Sequence, residues 1–266
     1  MTAMRITPMF MIGSRRALHL IERNLLVYKH GWVILLSGFF EPLFYLLSIG
    51  FGLGVLVGDV AGPGGQPIPY ALFIAPALLA ASSMNGAITE STFNFFFKLN
   101  YEKTFASILS TPMSPADISL GELAWALMRG ALYAVGFLAV MVLFGLVRSP
   151  LVLLTIPGAL LIGFAFSAVG MAATSFMRTW QDFDLIQLVI LPMFLFSGTF
   201  FPLDGLPDPI RLLIQLTPLY HGVDLLRTLA VGVVSVGTLV HVAYLGIMGL
   251  IGLAIVSRRL DKLLLK

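Results

Sequence analysis

Apolar residues run along this chain in six long blocks separated by short polar links. The blocks cover residues 32–57, 70–95, 123–146, 151–176, 185–201 and 237–256. A helix crosses a hydrocarbon core of about 30 Å with about 20 apolar residues, so five blocks are long enough and the fifth is somewhat short. A backbone in lipid must satisfy its own hydrogen bonds, which makes helices the natural form of such blocks. The pattern predicts an all-α, polytopic membrane protein with six transmembrane helices in one domain over 32–256. A cytoplasmic segment, 1–31, precedes it, and a basic tail, 257–266, follows.

Two shorter patterns flank and interrupt the blocks. In 1–31, Leu18, Ile21, Leu25 and Tyr28 recur at helical spacing, with Arg15, Glu22 and Arg23 elsewhere on the wheel. This predicts an N-terminal amphipathic helix suited to the membrane surface; an ordinary soluble helix is the alternative. Residues 202–232 hold two short apolar pieces. Asp208 is placed as N-cap with Pro209 as first helical residue, and Thr217-Pro218 repeats the device, with Gly232 as the stop. Each piece spans about 15–20 Å, half of what a crossing needs. The reading is a re-entrant helical hairpin; two amphipathic helices lying on the surface are the alternative.

A third pattern lies in 98–122. A helix over Tyr101–Ser110, N-capped by Asn100, puts Tyr101, Phe105 and Ile108 on one face with Glu102 and Lys103 on the rim. It ends before Thr111-Pro112, and Ser114, Pro115 and Asp117 form a capping box for the next helix. An exposed aromatic stripe implies a partner, either another protein or the chain's own N-terminal helix.

Composition strengthens the membrane reading. Of 266 residues 58% are hydrophobic and 11% charged, against about 25% charged in soluble domains. Twelve Lys and Arg fall on the side of the termini and three on the other, which places both termini in the cytoplasm and the hairpin outside. No apolar run before residue 31 suggests a cleavable signal peptide. Cysteine is absent, the four histidines show no metal-ligand spacing, and no basic patch suits nucleic acid. There is no G-x-x-x-x-G-K-[ST] loop and no catalytic constellation, so neither a bound cofactor nor an enzymatic activity is expected of this chain.

Ionisable groups inside spans are functional candidates by default. Glu41 lies in the first span before Pro42, Arg129 in the third is its plausible counter-ion, and Glu90 in the second competes for that arginine. The group serves either helix packing or transport. Phe39, Phe40, Phe44, Phe194 and Phe196 lie in or beside the first and fifth spans, as interfacial anchors or as a lining for an amphipathic substrate.

The runs FSGTFFPLDGLP, LTPLYHGVDLLR, LSTPMSPADISLGELAW and GFFEPLFYLLSIGFGLG occur in order along nearly the whole chain. In these the chain resembles the membrane subunits of ATP-binding cassette (ABC) exporters, the ABC-2-type permeases that move drugs, nodulation factors, polysaccharides and glycolipids. The resemblance implies a permease of the cytoplasmic (inner) membrane, dimeric with itself or a related permease. It implies an ABC ATPase partner that binds Mg-ATP and docks on the segment holding Tyr101, Glu102, Lys103, Phe105 and Ile108. It makes the hairpin an external gate, with Pro207, Pro209, Leu213, Thr217, Pro218 and Val223 as its residues, and lets spans 1 and 5 border the pathway. The alternative is a self-contained ion-coupled transporter or a membrane scaffold. A carrier of that kind would place carboxylates or broken helices near the midplane, and only Glu41 does so.

Overall fold

A computed structural model describes residues 13–28 and 40–264, without the side chains of 13–18 and 28. Phe39 and the start of the first span lie outside the described residues. Helix α1, Gly13–Tyr28, is followed by α2, Phe40–Val57, whose Leu46–Leu53 stretch is wound as π-helix. The Gly/Pro link folds as a small antiparallel ribbon, β1 (Asp59–Ala61) with β2 (Pro67–Pro69), in register through Val60 and Ile68. This departs from the all-α expectation. Gly64 and Gly65 supply the positive φ, +83° and +77°, that the turn needs.

Helix α3, Tyr70–Tyr101, is 32 residues long, and 72% of its most apolar window is buried, against 17% for α2. It is the central stave. Pro76 sits within it, and π turns at Glu90–Asn94 and Phe97–Tyr101 distort its second half. Lys103, with φ of +54°, breaks the chain before the short α4, Thr104–Ile108. Ser114 then opens α5, Pro115–Leu143. Its Oγ accepts from the Asp117 amide at 3.2 Å, and its own amide donates to the Asp117 carboxylate at 2.9 Å. Helix α6 runs Pro150–Thr174, with a 3₁₀ first turn capped by Ser149.

Helix α7, Phe183–Leu195, has 13 residues. At 1.5 Å per residue it reaches about 20 Å, short of a crossing. Among the described residues, five helices are therefore long and apolar enough to cross, α2, α3, α5, α6 and the final α10 (Val236–Leu264), where six blocks had predicted six. The fifth block stops early because Ser197, Gly198 and Thr199 turn the chain: Gly198 has φ of +71°, and the Ser197 and Thr199 hydroxyls share a hydrogen bond of 2.8 Å. Two short helices follow, α8 (Asp208–Gln215) and α9 (Pro218–Val231).

The main core gathers α3, α5, α6 and α9 around side chains such as Phe73, Leu78, Phe137, Ile162 and Leu226. Helices α6 and α10 approach to backbone distance. A Cβ on Gly252 would lie 2.7 Å from the Ala168 carbonyl carbon, and one on Gly249 would lie 2.2 Å from the Phe164 ring. Small residues allow this proximity in membrane bundles. Helix α1 packs on α5, where Leu20 lies against Gly121 and is 2% exposed. The buried face of α1 holds Leu20 and Asn24, whereas Leu25 of the expected stripe is exposed.

Candidate functional site

The elbow between α3 and α5 carries the first group of sequence candidates. The expected helix over Tyr101–Ser110 is shortened to α4, Thr104–Ile108: α3 continues through Asn100 to Tyr101, so Asn100 is no N-cap, and the break falls at Lys103. Tyr101 and Phe105 therefore belong to different helices and share no face. Tyr101 is 58% exposed, and Glu102 and Lys103 are exposed beside it. Phe105 is fully buried, its ring 5.0 Å from that of Phe95, in a second cluster with Ile118, Leu123, Val256 and Leu260. Ile108 is partly buried against the same cluster. Phe105 is thus spent on the chain's own core, formed with α3, α5 and α10, and is not available as an anchor for another protein.

The polar groups within the spans pair differently from the first expectation. Arg129 forms its ion pair with Glu90, and its Nη2 donates to the Tyr133 hydroxyl at 3.1 Å. Asn94 also donates to Glu90, at 2.8 Å. Glu90 opens a π turn of α3, and its carboxylate reaches Arg129 on α5. Glu41 is exposed and has no ion pair with a described residue. It lines a shallow pocket with Pro42, Tyr45, Ser82, Asn85 and Phe194. A second buried pair escaped notice in the sequence: Lys98 Nζ lies 2.6 Å from Glu122 Oε2. The signal was available, since both residues flank the same link and each sits beside aromatic or apolar neighbours.

Of the phenylalanines, Phe40 and Phe44 stack with ring centroids 6.0 Å apart and are 47% and 61% exposed. Phe196 is also exposed, while Phe194 is half-buried between Tyr45 and Phe200. These contacts bring α2 and α7 together along one flank.

The two short helices have separate fates. Pro207, one residue earlier than expected, is the N-cap of α8, with Asp208 and Pro209 in its first turn. Leu213 is 67% exposed and Ile214 is the buried residue of α8. Thr217 caps α9 as expected, its Oγ1 accepting from the Tyr220 amide at 3.4 Å, and Pro218 follows. Val223 is fully buried, and α9 ends at Gly232 with φ of +90°.

Helix α9 also carries polar groups whose roles the sequence reading did not find. Arg227, 6% exposed, donates from Nε to the Phe73 carbonyl at 3.1 Å and from Nη2 to the Gly198 carbonyl at 2.9 Å. Its guanidinium lies 3.7 Å above the Phe73 ring. One side chain thereby ties α9 to α3 and to the turn after α7. His221 and His241 share a hydrogen bond of 2.7 Å between their Nδ1 atoms, and His241 Nε2 lies 2.9 Å from Asp224. His221 stacks on Tyr244 at 3.9 Å, so this chain of groups joins α9 to α10. The histidines are twenty residues apart in sequence, too far for any local spacing to pair them.

Residues 16–231 match the ABC-2 type transporter family. Nodulation protein J of Rhizobium leguminosarum bv. trifolii is 33% identical over 254 residues, covering 93% of this chain and 95% of that protein. Nodulation protein J of Sinorhizobium fredii is 34% identical over 226 residues, 84% of each, and that of Bradyrhizobium diazoefficiens 34% over 208 residues, 77% of this chain and 78% of the relative. With its apolar helices and this likeness across most of its length, the chain is a multi-pass membrane protein and belongs to the ABC-2 type transporter family.

Proposed function

We propose that this chain is the permease subunit of an ATP-driven exporter that moves an amphipathic molecule, such as a drug, a glycolipid or a lipid-linked polysaccharide, out of the cytoplasm or inner leaflet. The observation that carries the reading is the likeness to ABC-2 permeases along a chain that has no phosphate-binding loop of its own. Hydrolysis of Mg-ATP then falls to a separate ATPase subunit, and this chain is non-catalytic and binds no cofactor. The elbow at Tyr101, Glu102 and Lys103 is the docking surface for that subunit, since it is exposed where α3 leaves the bundle.

The permease pairs with a second copy or a related chain in the inner membrane, with both termini cytoplasmic, as the distribution of Lys and Arg favours. The exposed aromatic flank of α2 and α7 borders the pathway. Helix α7 completes a sixth crossing with the turn that follows it, and α8 and α9 form the re-entrant gate on the outer side. The buried setting of α9 supports this last point, since irregular backbone at membrane depth survives when protein covers it.

The test is reconstitution of the permease in vesicles with its proposed ABC ATPase subunit. ATP-dependent movement of a fluorescent amphiphile is expected, and it should vanish when the ATPase carries a disabled phosphate-binding lysine. Movement that persists with that ATPase, driven by an ion gradient alone, would favour a self-contained carrier.

A further inference from the structure

A cleft of about 470 Å³ opens between the β1–β2 turn, the segment after α7, and helices α8 and α9. Arg227 and Arg211 line it, together with Gln215, Tyr220, Asp204 and Asp224. Arg227 is the unusual member. A buried charge is ordinarily paired, because desolvating it alone is costly. Arg227 is 6% exposed, yet no carboxylate among the described residues reaches ion-pairing distance. Its Nε and Nη2 are bound by the Phe73 and Gly198 carbonyls and its face is covered by the Phe73 ring. Those partners hold the guanidinium in place without a direct ion pair, with Asp224 near it across the cleft. Nη1 has no protein acceptor among the described residues. Asp224, three residues back on α9, engages His241 instead.

We infer that this cleft is a binding site for a phosphate-type oxyanion, held by Nη1 of Arg227 from the wall and by the exposed Arg211 from the rim. A guanidinium with its other nitrogens fixed presents the remaining N–H groups to an oxyanion at little further entropic cost. Asp204 and Asp224 also line the cleft and offer acceptors to an amine or hydroxyl beside the phosphate. The phosphate belongs either to a lipid headgroup or to a free anion. The inference stands on the surroundings of Arg227 and does not depend on the direction or energy source of transport.

The experiment uses delipidated permease in a phosphate-free detergent. One arm titrates inorganic phosphate against chloride at matched ionic strength and follows the unfolding temperature. The other adds phosphatidylglycerol or diacylglycerol, which lacks the phosphate, and counts retained lipid by native mass spectrometry. Wild type is expected to be stabilised by phosphate or to retain phosphatidylglycerol over diacylglycerol. Arg211→Gln, at an exposed position, should weaken the response about tenfold with an unchanged unliganded unfolding temperature. Arg227→Lys keeps the charge and should weaken it too, from a lower starting stability. A response to phosphate alone identifies a free anion as the source; selective lipid retention, with or without a phosphate response, identifies a headgroup. No response in either arm, or an equal response in wild type and Arg211→Gln, overturns the inference.

Discussion

Helices α8 and α9 begin alike, each with a proline in its first turn and an apolar stripe behind it, and they end in opposite environments. In α9 the stripe of Leu219, Val223, Leu226 and Ala230 is buried against α3, α6 and α10. In α8, Leu212 and Leu213, and Leu216 just after it, are each at least 60% exposed. The elbow after α3 repeats the contrast, with Phe105 buried and Tyr101 exposed four residues earlier. Apolar spacing specifies that a face needs covering and leaves open which surface covers it. The buried member of each pair holds the bundle together; the exposed member is left for lipid or another chain.

The largest effect separating these pairs is expected from Val223→Asp. It puts an unpaired charge at a fully buried position, a change worth several kcal/mol, and should abolish monodisperse protein on gel filtration. Leu213→Asp should still yield folded protein; equal damage from the two would erase the distinction between α8 and α9. Next comes Phe105→Ala, which should cost about 3–5 kcal/mol of permease stability in thermal unfolding. Tyr101→Ala should leave unfolding nearly unchanged while reducing the ATPase recovered with the permease, so loss of ATPase only in the Phe105 variant would move the docking surface elsewhere.

A smaller effect, about 0.5–2 kcal/mol, is expected from Thr217→Ala, which removes the cap of the buried helix; unfolding at neutral pH measures it. The smallest belongs to Asp182, which accepts from the Arg178 and Thr179 amides at 2.8 and 3.1 Å ahead of α7. Those bonds hold its carboxyl below the usual range. Its contribution is present above the unfolded carboxylate pKa and is lost as pH falls through the lowered folded value. The difference in unfolding temperature between wild type and Asp182→Asn should therefore close on acidification, and a difference unchanged down to strongly acidic pH would assign it to packing.

Much of the architecture was legible in the sequence because its signals are local. Blocks of apolar residues marked the long helices, and Ser114-Pro115-Ala116-Asp117 and Thr217-Pro218 marked two helix starts to the residue. What escaped depends on distant groups or on backbone states that no pattern announces. Lys103 adopts a left-handed conformation without being Gly or Asn, so the helix break shifted and the stripe through Tyr101 and Phe105 came apart. Glu90, at the start of a π turn, holds Arg129, leaving Glu41 without the partner that span order had suggested. The setting of Arg227 is made by the carbonyls of Phe73 and Gly198, 154 and 29 residues away, and composition could not foretell it.

The glycine seam between α6 and α10 has a mechanical consequence. Where Gly252 meets the backbone of Ala168, neither helix can slip past the other by a residue without driving a side chain into main chain. The two behave as a single beam. In the exporter proposed above, a conformational change would then swing around that beam or carry it whole. Replacing Gly252 with a bulkier residue would pry the beam apart.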